Sequence, residues 1–411
     1  MTKKLNFNEA YLYLISYSSF TYIFLILNFY GHHHDSLTIG IFQALVSFIT
    51  LGFSGDFRSL YFTNEIYSRL LIKFRSYVIT SLLVGMTFYF LVVPDSTLKS
   101  FVLLLLFKRL IDWIDEVVII SSKAFLTDNL FKYKYILIQV FFIIFLPYIY
   151  LNMWAYMKYY FLIMIVYNFY ILKRYYMLFY IKNMKKIKFQ EITANQKNLF
   201  VSQLISTSLV NLSNIALRVI ITISFLPQKS SMIISSFALG SMAFSMANNS
   251  ILPYVVQKAG KVSGITPYLK KNVPLIFTVI FLFVTLLWFL RDIFYSVNLS
   301  FEIASLSLLS SATLFCSSFF RYSIIQFKGS STLRDDFFIH SLFILTVLGL
   351  YINWQEYLIY STILLGSISL SVFAVRHNAL AAGKFPPIIY LCVEIYLLLS
   401  ITYLLINKLV S

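Results

Sequence analysis

Apolar stretches of roughly 20 residues recur from one end of this chain to the other, which is the length a helix needs to cross about 30 Å of hydrocarbon. "FVLLLLF" (101–107), "ILIQVFFIIFLPYIYL" (136–151) and "IYLLLSITYLLI" (395–406) are the most apolar parts of three of them. A backbone in lipid must satisfy its own N–H and C=O groups, so such stretches can be only helices or the strands of a closed barrel. Strand-sized runs of alternating polarity are absent, which removes the barrel. Charged residues make up 12% of the 411 positions, against about a quarter in soluble domains. The expected fold class is therefore all-α, a polytopic membrane protein.

The spacing predicts spans at 10–30, 37–62, 76–94, 100–122, 135–151, 159–180, 199–226, 231–257, 273–290, 301–326, 337–353, 357–377 and 388–406. "MTKKLNFNEA" leads into the first of them with no small-residue cleavage site behind it, so that span is read as an uncleaved helix. Cys316 and Cys392 both fall inside spans and carry no information about redox compartment. The net charge of +17 invites a nucleic-acid reading, but its placement argues for orientation. With a cytoplasmic N-terminus, most basic residues fall in inner loops, while external segments keep Lys99, Lys158, Lys229, Arg291 and Lys408. No nucleic-acid partner is expected.

The longest loop, "IKNMKKIKFQEITANQKN" (181–198), divides the chain near its middle. The segments 39–62 and 234–257, and then 100–125 and 300–325, correspond across it like a diverged duplication. The expected organisation is an N-terminal lobe, 1–190, and a C-terminal lobe, 191–411. These would form two pseudo-symmetric six-helix bundles with a central cavity at their interface. The thirteenth span fits this symmetry poorly, so the count stands at twelve or thirteen and the side of the C-terminus is open.

"FKRLIDWIDE" (107–116) places Lys108, Arg109, Asp112, Asp115 and Glu116 inside a span, within an arc of about 120°. An unpaired charge at the bilayer centre costs roughly 2.5–3.5 kcal/mol, so these groups must pair, face a polar cavity, or both. Lys108 and Arg109 sit four and three positions before Asp112, which is pairing distance on a helix. Other spans carry polar stripes: Gln43, Ser47, Thr50, Ser54 and Arg58; Thr207, Asn211, Asn214, Arg218 and Thr222; Ser241, Ser245, Asn248 and Asn249; Ser310, Ser317 and Arg321. Helix–helix hydrogen bonding accounts for many hydroxyl and amide stripes. It accounts less well for the stripes with Arg58 and Arg218, which have no acidic residue on their own faces. Spans 76–94, 135–151, 159–180 and 273–290 have no comparable stripe and read as lipid-facing.

A water-filled cavity lined by the spans that begin at 37, 100, 199, 231 and 301 would explain these faces together. Arg58, Lys108, Arg109, Arg218 and Arg321, with Asn211, Asn214 and Asn248, are then candidate cargo contacts. Arginine holds phosphate through a rigid fork of donors. Hydroxyl and amide stripes suit sugars. The acidic trio Asp112, Asp115 and Glu116 would balance charge or bind a coupling proton.

The length, the central basic loop, the two halves, and the segments "GIFQALVSFITLGFSGDFRSL" and "MANNSILPYVVQKAG" resemble the multidrug/oligosaccharidyl-lipid/polysaccharide exporter superfamily. Within it the chain is most similar to the Wzx-type O-antigen flippases. The resemblance is architectural and covers nearly the whole chain. It implies movement of undecaprenyl-pyrophosphate-linked oligosaccharide repeat units across a bacterial inner membrane, by alternating access and without ATP hydrolysis. The expected partners are that lipid-linked oligosaccharide, membrane lipids, and polymerase and chain-length proteins of the same pathway. The five-charge span has no counterpart in the resemblance and is read from its residues alone.

Two alternatives stay open. A multidrug exporter of the same fold should carry an acidic or aromatic cavity for organic cations. An O-antigen polymerase, an enzyme, should carry a large external loop with catalytic groups, whereas the external loops here are short. "GHHHD" (31–35) reads as a solvated interfacial loop, since three consecutive histidines cannot all face one metal, and His340 and His377 are isolated. No phosphate-binding glycine-rich loop is present, so neither an ATPase nor a cofactor is expected.

Overall fold

In hydrocarbon each turn of helix bonds its own backbone, so a chain this apolar reduces to helices joined by short turns. The computed structural model of the protein describes residues 19–48, 77–78, 81–89, 91–92, 96–122, 129–184, 194–250, 252, 278, 282, 289–328 and 331–380. All regular structure among them is helical. The elements are α1 (Ser19–Phe29), α2 (His33–Ser47), α3 (Thr97–Ser122), α4 (Asn129–Asn152), α5 (Met157–Met184), α6 (Ala194–Ser224), α7 (Pro227–Ser250), α8 (Arg291–Ser296), α9 (Phe301–Lys328), α10 (Leu333–Asn353) and α11 (Ser361–Leu380). Segments in five of them are long and apolar enough to cross a membrane: Tyr133–Asn152, Lys197–Ser224, Phe301–Ile325, Leu333–Asn353 and Tyr357–His377. These match five of the predicted spans closely. The predicted span 388–406 lies outside the described residues, as do most of 273–290, residues 49–62 of 37–62 and residues 10–18 of 10–30.

The turn between α1 and α2 shows how local sequence sets the fold. Gly31 takes φ +79°, which costs a residue without Cβ little. The amides of His32 and Gly31 then close back on the carbonyls of Leu27 and Asn28 at 3.0 Å each, a Schellman end to α1. Helix α2 begins at His33, with Asp35 in its first turn where the helix dipole favours an anion. Residues 33–35 are thus helical rather than the loop expected from "GHHHD".

Helix α9 is the axis of the second half. Of its membrane-length segment 89% is buried inside the protein, against 28–39% for the other four. Small residues allow this. A Cβ on Gly240 of α7 would lie 2.1 Å from the carbonyl oxygen of Ala304, so α7 and α9 meet backbone to backbone. Gly366 of α11 approaches Thr313 and Ser310 on another side of α9. Close approach of this kind drives helix association in lipid, where no hydrophobic force acts between helices. Helix α6 packs on α10, and α2 packs on both α6 and α7. One apolar core, including Phe24, Phe101, Phe142, Ile221, Phe301, Phe320 and Phe373, runs through helices from both sides of the central loop. A smaller cluster of Val118, Phe131, Tyr135, Leu172 and Tyr175 joins α3, α4 and α5.

Candidate functional site

Among the described residues α6, α7, α9, α10 and α11 wall a polar chamber with about 1440 Å³ of empty space, counting the open solvent at its mouth. Arg218, Arg321, Asn214 and Asn248 all line it, so four of the predicted cargo contacts come together. Ser213, Ser241, Ser245, Ser307, Ser310 and Ser318 add hydroxyls to the same walls.

Some of these hydroxyls are already engaged between helices, and part of the stripe on α6 satisfies itself. On α9, Ser307 donates to the carbonyl of Phe237 at 2.7 Å, Ser310 donates to that of Thr362 at 2.5 Å, and Ser317 meets Ser369 at 2.7 Å. These hydroxyls tie α9 to its neighbours. On α6, Thr207, Asn211 and Thr222 donate to carbonyls one turn back in their own helix at 2.7–2.8 Å, the usual way a short polar side chain satisfies itself in a helix. Asn211 is not among the chamber's lining residues, unlike Asn214, one turn on.

Arg218 reaches from α6 across to α2. Its Nη1 donates to the carbonyl oxygen of Gly40 at 2.5 Å and to Oε1 of Gln43 at 2.8 Å. Both acceptors are neutral, and among the described residues no carboxylate pairs with it. Arg321 is different. It lies 3.3 Å from Oδ2 of Asp336 on α10 and donates to Ser206 at 2.9 Å. Asp336 also accepts from Thr332 at 2.8 Å and from Ser206. His340, one turn after Asp336, meets Ser213 through Nδ1 at 2.9 Å. Its expected isolation is corrected: Asp336 and His340 form part of the chamber wall. The sequence held a signal for this. Thr332, Asp336 and His340 recur every four residues and so share a helix face. Starting the predicted span at 337 left Asp336 in a loop and hid the pattern.

The charged face of α3 is placed elsewhere. Lys108 lies 2.5 Å from Asp112 and donates to Gln139 of α4 at 2.9 Å, over the ring of Phe142. Asp115 accepts from Asn168 of α5 at 2.6 Å and from Tyr176. Arg109, Asp112 and Asp115 are all buried. No described residue of α3 lines the large chamber. A separate narrow crevice lies beside Lys108, Asp112, Gln139 and Asn168. Among the described residues this face lies apart from the large chamber, and neighbouring helices supply partners to Lys108 and Asp115. The reading of spans 135–151 and 159–180 as lipid-facing leaves out their inner sides. Leu137, Phe141, Ile144, Leu162, Ile163 and Val166 are exposed on their outer sides, while Gln139, Asn168 and Tyr176 turn inward. Single polar residues in otherwise apolar spans were too sparse to register as stripes. Arg58 and the side chain of Glu116 lie outside the described residues.

Near the α1–α2 turn a second network joins the two halves. Asn28 donates to the carbonyl of Asn298 at 2.9 Å and accepts from Ser231 of α7 at 2.8 Å. Ser231 also reaches Ser36 at 3.2 Å.

The chamber wall is rich in hydroxyl groups and carries the guanidinium of Arg218, whose described partners are uncharged. Groups of these kinds can hydrogen-bond a hydroxyl-rich ligand and an anion, while the guanidinium of Arg321 is already paired with Asp336. Among the described residues no group of three or more His, Cys, Asp or Glu side chains is arranged to hold a metal ion. Comparison with protein-family models, with curated proteins and with solved structures finds no match.

Proposed function

We propose that the chain is a multi-pass protein of the bacterial inner membrane, with a cytoplasmic N-terminus and two six-helix bundles. In this reading it moves undecaprenyl-pyrophosphate-linked oligosaccharide repeat units, of O-antigen or capsule type, from the cytoplasmic to the periplasmic leaflet by alternating access. It does no covalent chemistry. The observation that carries this reading is that Arg218 and Arg321 share the walls of one chamber with serine and asparagine side chains. Arg218 is the stronger anchor of the two, since its described partners are uncharged and leave its positive charge uncompensated.

The lipid pyrophosphate would meet the arginines and the sugars would meet the hydroxyls. The network of Asn28, Ser231 and Asn298 would close the chamber on the periplasmic side while cargo enters from the cytoplasm. The buried cluster on α3 would balance its own charge within the first half, and Asp115, held by two neutral donors, is the group there best suited to a coupling proton.

The test is to delete the gene and follow the lipid-linked intermediates by leaflet. Completed repeat units trapped on the cytoplasmic side support the flippase. Units that reach the periplasm but stay unpolymerised would point to a polymerase. One observation favours a second reading: Phe237, Phe244, Phe315, Phe343 and Phe373 also line the chamber, as a multidrug exporter would need. A normal glycan with altered resistance to cationic dyes in the deletion strain would select that reading instead.

A further inference from the structure

We propose that Gln43 is the positioning residue for Arg218 and sets the chamber's preference for an anionic over an uncharged cargo; this rests on the transport reading above. Gln43 lies on α2, in the other half of the chain from Arg218. Its Nε2 donates to Oγ1 of Thr21 on α1 at 2.6 Å, and its Oε1 accepts from Nη1 of Arg218 at 2.8 Å. The two contacts fix the amide. Turned over, it would set an NH₂ group against a guanidinium, donor against donor. The carbonyl of Gly40, one turn earlier, accepts from the same Nη1 at 2.5 Å, and the ring of Phe24 lies 5.8 Å from the guanidinium carbon.

Every one of these neighbours is uncharged. The guanidinium is therefore held in place without being neutralised. Among the described residues only Nη1 is engaged, which leaves the edge formed by Nη2 and Nε for a ligand, and a guanidinium edge binds phosphate bidentately. Arg218 also lines the chamber, so that edge can be met from inside it. A carboxylate at position 43 would do the opposite. It would have nearly the same shape but would compete with the cargo for the same cation, and close charge pairs of this kind couple strongly. Thr21 acts one step back, by choosing which end of the amide faces the arginine.

The experiment measures binding of farnesyl pyrophosphate and of uncharged farnesol to the purified full-length protein, comparing wild type with Gln43→Glu, Gln43→Met and Thr21→Val. The wild type should bind the pyrophosphate at least about tenfold more tightly than the alcohol. Gln43→Glu should remove about tenfold of pyrophosphate affinity and leave farnesol affinity unchanged. Gln43→Met and Thr21→Val, which add no charge, should each give a smaller loss in the same direction. If Gln43→Glu does not fold, the two neutral variants decide. A pyrophosphate-to-farnesol ratio equal to wild type in the folded variants overturns the role of Gln43 and leaves the anionic-cargo reading standing. A wild type that binds both probes equally overturns both.

Discussion

Arg321 on α9 and Asp336 on α10 form a largely buried ion pair, 3.3 Å apart, in the wall of the chamber. Ser206 and Thr332 supply further hydrogen bonds to the carboxylate, so the pair joins α6, α9 and α10 at a single point. Removing one partner of a buried pair typically costs about 3–5 kcal/mol, because the other charge is left uncompensated. Asp336→Asn and Arg321→Met should each lower the thermal midpoint of the detergent-purified protein. The double variant should lose less than the sum of the two. Additive losses would show that the contact carries no coupling.

Arg218 should separate transport from stability. Its described hydrogen bonds go to neutral acceptors, so removing it strands no described carboxylate. Arg218→Ala should abolish most export while the protein still accumulates in the membrane. Arg218→Lys should keep part of the activity, since it retains the charge and loses the fork. Full export by the alanine variant would remove this residue from the pathway.

Three glycines give a graded test of helix packing. Gly240→Ala drives a Cβ to 2.1 Å from the oxygen of Ala304, a backbone atom that cannot rotate away, and should destabilise by about 1–3 kcal/mol. Gly366→Ala meets Thr313 at 3.2 Å and should cost less. Gly349→Ala meets nothing within 4 Å and should be neutral, or stabilising by up to about 1 kcal/mol through helix propensity. Midpoints of thermal unfolding should fall in that order, and a different order would contradict the close contact of α7 with α9.

Lys108 and Asp112 should behave as a structural unit. Either Lys108→Met or Asp112→Leu alone leaves a charge in the protein interior and should reduce the amount of folded protein in the membrane. Both together should restore much of it. Equal amounts for all three variants would mean that the cluster is solvated rather than buried.

The contact of Asn28 with Ser231 can be trapped. In a background lacking Cys316 and Cys392, the pair Asn28→Cys and Ser231→Cys should cross-link under mild oxidant, because the native side chains meet at 2.8 Å. If this network closes the chamber on one side during transport, the cross-link should stop export and a reductant should restore it. Undiminished export with the bond formed would rule out movement there.

The helices were legible because the spacing of apolar residues and the needs of a backbone in lipid leave few alternatives. The predicted spans 199–226, 301–326, 337–353 and 357–377 fall on helices of membrane length for that reason. Part of the chamber was legible in the same way. Asn214 and Arg218 recur every four residues on α6, and a helix needs no tertiary information to put them on one face. The cluster on α3 was half legible. The pairing of Lys108 with Asp112 follows from their spacing, but Gln139, Asn168 and Tyr176, single residues on two other helices, complete its surroundings.

By itself, then, the sequence determined that this protein is helical, apolar enough for a membrane, and polar along particular helix faces. Periodicity is a property of one helix and says nothing of what lies across from it. Only the tertiary structure decided that Asp336 answers Arg321, that Gln43 answers Arg218 across 175 positions, and that the charges of α3 meet α4 and α5 rather than the large chamber. Such pairings depend on how helices settle side by side. That is set by where small residues such as Gly240 and Ala304 let two backbones touch, and contacts of that kind leave no repeat in the sequence to read.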